Sequence, residues 1–205
     1  MKQIIEESLK KSISYKDYRG VVKNLVENNS TSGNVKSKAL INYTLLNDRR
    51  MKRWDKTVKV PQEVHNNVVA INEKVTWLVL TESWCGDAAH QIPAMNKMAE
   101  LNDNIDLKVV LRDENEALMN FFLTNGNKSI PKLIMIDDET GDIINSYGPR
   151  PSEATKMVND YKKEHGKLTP EFKEDLQRWY NKDKGQNMLK DLAEKLSELT
   201  PTVSF

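Results

Sequence analysis

The side chain in this sequence best suited to covalent chemistry is its single cysteine, Cys85, in the string Thr81-Glu82-Ser83-Trp84-Cys85-Gly86-Asp87-Ala88. It follows a short apolar run, Trp77-Leu78-Val79-Leu80, of the kind found in a strand covered on both faces. It precedes Ala88, Ala89, Ile92, Met95, Met98 and Ala99, which keep the 3.6-residue period of a helix. That order puts a thiol at a helix N-terminus, where unpaired backbone N–H groups and the helix dipole favour the nucleophilic thiolate. Asp87 acts in the opposite sense, because a nearby carboxylate disfavours a second negative charge. The sign of the net shift stays open at this level. So does a plainer reading, since free cysteines are often small apolar core fillers. One cysteine excludes an internal disulfide and a cysteine-based structural zinc site.

Other candidates are weaker. His90 lies five residues after Cys85, about 140° around a helix, and so reads as a surface or packing residue and not as its base. His65 and His165 have no partner at metal-ligand spacing, and no metal is expected. Arg49, Arg50, Lys52 and Arg53 form the densest basic cluster, beside Trp54. No nucleic-acid motif accompanies them and the net charge is only +1, so no nucleic-acid partner is expected. An anion site built on Arg49, Arg50 and Arg53, for example for an anionic thiol such as glutathione, stands beside the alternative of a solvated charged face. Residues 1–60 hold 14 Lys/Arg against 6 Asp/Glu, a net of +8, and the other 145 residues hold 17 against 24, a net of −7. Opposite halves of this kind attract each other, so residues 1–60 are expected to pack on the rest, with part of their charge near Cys85.

Three stretches must position these residues. Residues 1–60 read as a helical extension interrupted by the breaker Asn28-Asn29-Ser30-Thr31-Ser32-Gly33-Asn34. Residues 61–166 alternate strands and helices. Ile105, Leu107, Val109 and Leu111 have strand period, and Ala117, Leu118, Phe121 and Phe122 predict a helix stopping near Asn125-Gly126. Leu133–Ile136 and Ile143–Tyr147 flank a hairpin turn, so the sheet should be mixed. Residues 167–205 are expected to be helical, opened by Thr169-Pro170 and continued by Leu189, Leu192, Leu196 and Leu199. No apolar run is long enough for a membrane span, and the acidic start lacks the apolar stretch of a signal peptide, so a soluble, cytoplasmic protein with no membrane partner is expected.

Trp84-Cys85-Gly86 between a strand and a helix resembles the active-site turn of the thioredoxin superfamily. Ile130-Pro131, with Pro131 46 residues after Cys85 and just before a strand, resembles that family's cis-proline loop. The N-terminal helices are similar to those of bacterial thioredoxin-like proteins with a helical extension. The resemblance implies an α/β fold, a mixed central sheet flanked by helices, with a long C-terminal helix. It implies Cys85 as nucleophile, solvent-accessible at its helix start, and Trp84, Gly86, Ile130 and Pro131 as the rim that binds a protein or small-molecule disulfide. Ala88 stands where thioredoxins carry their second cysteine, Asp87 where they usually carry proline, and Val79 where they often bury a carboxylate. Without a second thiol the chemistry left is monothiol exchange, with no cofactor but with a low-molecular-weight thiol as co-substrate to resolve the mixed disulfide. The competing expectation is a non-catalytic binding module that retains the peptide groove.

Overall fold

The computed structural model describes residues 1–197. Its centre is a five-stranded sheet in the order β1-β3-β2-β4-β5, formed by β1 (Ile13–Ser14), β2 (Val75–Thr81), β3 (Ile105–Leu111), β4 (Lys132–Asp137) and β5 (Ile143–Tyr147). The unbroken apolar run makes β2 the middle strand, buried along its whole length. It pairs parallel with β3, through the crossover helix α5 (Gly86–Ala99), and antiparallel with β4. In that register Leu80 faces Lys132, so the chain entering β4 passes beside the chain leaving β2. Topology alone therefore brings Ile130 and Pro131 next to the Cys85 turn.

The N-terminal stretch contains α1 (Lys2–Lys10), α2 (Tyr15–Glu27), α3 (Lys38–Thr57) and, after Pro61, α4 (Gln62–Val69). Ser14 and Ser37 cap α2 and α3 by accepting the N–H of Asp17 and of Leu40. Residues 1–60 are not helical throughout, because β1 adds an antiparallel edge to β3; two residues are too few to show a strand period. The extension is part of the body. Ile5, Tyr18, Val22, Met51 and Trp54 are buried in the same core as β2 and α5. The predicted breaker is a loop, but its middle is not free: Thr31 and Ser32 are buried.

Between β3 and β4 the helix is shorter than its pattern suggested. α6 (Glu116–Met119) is one turn, and Phe121 lies beyond it, 54% exposed. After β5, α7 (Ser152–His165) ends at Gly166 and α8 (Pro170–Asp183) starts on the Thr169 cap. Lys184 and Gly185, with φ of 57° and 81°, then break the chain, so the C-terminal stretch holds a second helix, α9 (Gln186–Ser197), in place of one long helix. Met188, Leu189, Leu192 and Leu196 of α9 enter the main core, whereas α7 and α8 share a small core of their own around Val158, Phe172 and Leu176. Leu199, the last residue of the predicted leucine series, lies outside the described residues. No described helix is long and apolar enough to cross a membrane.

Candidate functional site

Cys85 is the N-cap of α5, and the N–H groups of Ala88 and Asp87 face its sulfur, which favours the thiolate. Burial outweighs them. Cys85 is 7% exposed, not solvent-accessible as the resemblance implied, because it packs into the main core and against the loop before β4. Burial first, then the Asp87 carboxylate, push the thiol up to about 12. The sulfhydryl is therefore protonated near neutrality, and it donates to the Ile130 carbonyl at 3.3 Å. Asp87 accepts from Tyr180 Oη at 2.9 Å and pairs with Arg150 at 2.8 Å. Its carboxyl is raised by burial, with Arg150 and Tyr180 pulling the other way.

Cys85 opens onto a cleft of about 460 Å³. Trp84, Gly86 and Ile130 of the expected rim line it; Pro131 is buried and does not, and Pro149 lines the cleft instead. Both Ile130–Pro131 and Gly148–Pro149 are cis. Gly148 is there by necessity: at φ 108° a Cβ would sit 2.3 Å from the Pro131 carbonyl oxygen. From the extension come Leu40, Tyr43 and Arg50, and from α8 come Lys173, Leu176 and Gln177. Of the expected anion-binding arginines only Arg50 reaches the cleft; Arg49 and Arg53 line an adjoining groove.

Two buried networks hold this site from behind. Ser83 Oγ lies 2.8 Å from Thr44 Oγ1 and accepts the Ser32 N–H at 3.0 Å, while the Ser83 N–H reaches Ser32 Oγ at 2.7 Å. Ser32 Oγ in turn donates to Glu82, whose other oxygen accepts the Asp113 N–H at 2.9 Å. Burial raises the Glu82 carboxyl while these two donors oppose the rise. Val79, where thioredoxins often bury a carboxylate, carries none, and the buried carboxyl near the turn is Glu82. Its signal was a charged residue placed directly after seven strand residues with no polar face.

The second network is centred on His90, which is buried as a packing residue. Trp54 Nε1–H donates to its Nδ1 at 2.8 Å, so the ring proton sits on Nε2 and donates to Gln177 Oε1, also at 2.8 Å. Tyr180 stacks on the ring at 4.5 Å. Burial pushes His90 down to about 3. The unfolded chain takes up this proton below about pH 6.5 and the folded chain only near 3, so the histidine lowers stability as pH falls through that window. His90→Gln, which keeps an acceptor and a donor, is expected to flatten the loss of urea midpoint between pH 7 and 5. An unchanged loss would mean that the ring is not held neutral.

A sheet of this order, with a cysteine turn at the end of its central strand and a cis-proline loop beside it, defines a thioredoxin-type fold. The family model described as thioredoxin matches residues 33–162, more than half of the chain, and the protein belongs to that family. Among solved structures, a protein of unknown function from Pseudomonas aeruginosa is similar with a TM-score of 0.61 and 16% identity, over 76% of this chain and 86% of that one. An HIV epitope-scaffold is similar with a TM-score of 0.57 and 15% identity, over 91% of this chain and 99% of that one. Both likenesses concern the fold alone. Comparison with curated proteins gives no match.

Proposed function

We propose that this protein is a thioredoxin-fold binding module, which holds a partner segment in the Cys85 cleft without turning over disulfides. The observation that carries this reading is the buried thiol, pushed up to about 12. Such a group stays protonated at pH 7, and Ala88 leaves no second thiol to resolve a mixed disulfide. The cleft itself remains open and largely apolar, with Trp84 and Ile130 on its wall. A lone reduced thiol suits a cytoplasmic setting.

A second reading is monothiol exchange, favoured by the Asp87 and Ala88 N–H groups that face the sulfur. In it Cys85 Sγ bonds to one sulfur of a disulfide, the other leaves as thiolate, and a small external thiol resolves the mixed disulfide. The rate of Cys85 alkylation by iodoacetamide against pH separates the two. The module reading expects a midpoint far above the ordinary thiol value of about 8.5. A midpoint at or below it would overturn that reading in favour of exchange.

A further inference from the structure

We propose that the occupant of the cleft is an acidic, extended protein segment, whose carboxylates are held by Arg50 and, beyond it, by Arg49 and Arg53. This rests on the binding-module reading and names the chemistry of the partner. The cleft does not end at Arg50. A second groove, about 310 Å³, is lined by Leu46, Arg49, Arg50, Arg53, Gln177 and Asn181, and it shares Arg50 and Gln177 with the Cys85 cleft. The two form one path between α3 and α8.

The charge of the outer groove has no carboxylate within it, and Asp87, in the inner cleft, is taken by Arg150. Among the described residues none of the groove's three arginines forms an ion pair. The arginines of the wider fold behave differently: Arg19, Arg112, Arg150 and Arg178 each hold an aspartate. Two of the three are instead fixed by neutral partners. Arg50 donates to Asn47 Oδ1 at 2.9 Å, and Arg53 donates to Asn181 with its guanidinium 4.6 Å from the centre of the Trp54 ring. Burial and then the neighbouring Arg53 disfavour the charge on Arg50, more than Tyr43 and Asp87 favour it. Like charges held together this way are relieved by an anion between them, and guanidinium groups match carboxylates with paired hydrogen bonds.

The walls decide between anions. Leu40, Tyr43 and Leu176 stand around the inner cleft and Leu46 in the outer groove, so the path offers apolar as well as cationic positions. A chain in extended conformation presents side chains alternately and can use both kinds of position. A small compact anion would engage the arginines and leave the apolar wall wet.

The test uses the full chain and a fluorescein-labelled octapeptide of alternating Glu and Leu, compared with its Gln/Leu and Lys/Leu counterparts by fluorescence anisotropy. The Glu form is expected to bind about tenfold more tightly than the Gln form, with the difference shrinking as salt is raised. Arg49→Gln with Arg53→Gln should reduce that difference to what Arg50 alone can hold. Arg49→Gln alone, at an exposed position, should reduce it with no change in melting temperature. Inorganic phosphate and ATP should not displace the peptide. Equal binding of Glu and Gln forms, or displacement by phosphate or ATP, would overturn the acidic-segment proposal and leave the module reading standing. If no peptide binds, the proposal fails. If the alkylation midpoint is also that of an ordinary thiol, the module reading fails with it.

Discussion

Ala88→Cys is expected to turn a protein without turnover into one that reduces disulfides. Residue 88 lies in the first turn of α5, three residues after Cys85, where side chains on one helical face approach each other. Its N–H already faces the Cys85 sulfur. The new thiol could attack the mixed disulfide between Cys85 and a substrate, close an internal disulfide and expel the substrate thiol; a dithiol reductant would then reset the pair. Ala88 is buried, so the added sulfur must be accommodated, at about 1 kcal/mol. The gain should be limited, because burial and Asp87 still hold the Cys85 proton. Adding Asp87→Asn, which removes the second of those two causes, should raise the rate again. Insulin reduction with dithiothreitol, with Cys85→Ser as the blank, measures this. Wild-type turnover equal to the variant's, and lost in Cys85→Ser, would show that the single thiol suffices.

What the sequence disclosed, and what it hid, follow from how far each signal reaches along the chain. The run Trp77–Leu80 and the helical period after Cys85 are local, and they place the thiol at a strand–helix junction, as found. The Ile130-Pro131 pair was recognisable by its resemblance to the cis-proline loop and its 46-residue spacing from Cys85, and the β2–β4 register puts it beside the Cys85 turn. The exposure of Cys85 was not recognisable. It depends on packing between distant segments, such as the Ile130 loop 45 residues away, and no local period shows such packing. The same holds for Arg150, which follows β5 with no local signal and pairs with Asp87. The breaker is a loop as expected, and the burial of Thr31 and Ser32 within it left no local signal for a related reason. A polar loop looks solvated until its hydroxyls find Thr44, Ser83 and Glu82, and hydroxyls satisfied in this way are as buriable as methyls. The charge asymmetry was informative about attraction but not about address, since it could not tell Arg50 in the cleft from Arg49 and Arg53 outside it.

Truncating Trp54 should be among the most damaging single changes in the chain, and its consequences should reach Cys85. The indole is 4% exposed, in the same core as the sheet, and its N–H holds Nδ1 of His90. His90 carries that support onward to Gln177 and Tyr180, and Tyr180 holds Asp87 beside the thiol. One side chain of α3 thus braces α5 and, through it, α8. Trp54→Ala is expected to cost about 3–5 kcal/mol for the lost volume, with a further penalty for a buried His90 nitrogen left without a donor. Against a typical total of about 5–15 kcal/mol, that should lower the melting temperature by on the order of 10 °C. Trp54→Phe separates the two contributions, because it keeps most of the ring volume and loses the N–H. It should melt closer to the wild type, yet alkylate faster at Cys85 at a temperature where both are folded, since Tyr180, which holds Asp87 beside the sulfur, is then braced less firmly. A Trp54→Ala protein that melts with the wild type would mean that α3 is only loosely applied to the body. A Trp54→Phe protein with unchanged alkylation would mean that the surroundings of Cys85 do not depend on the His90 network.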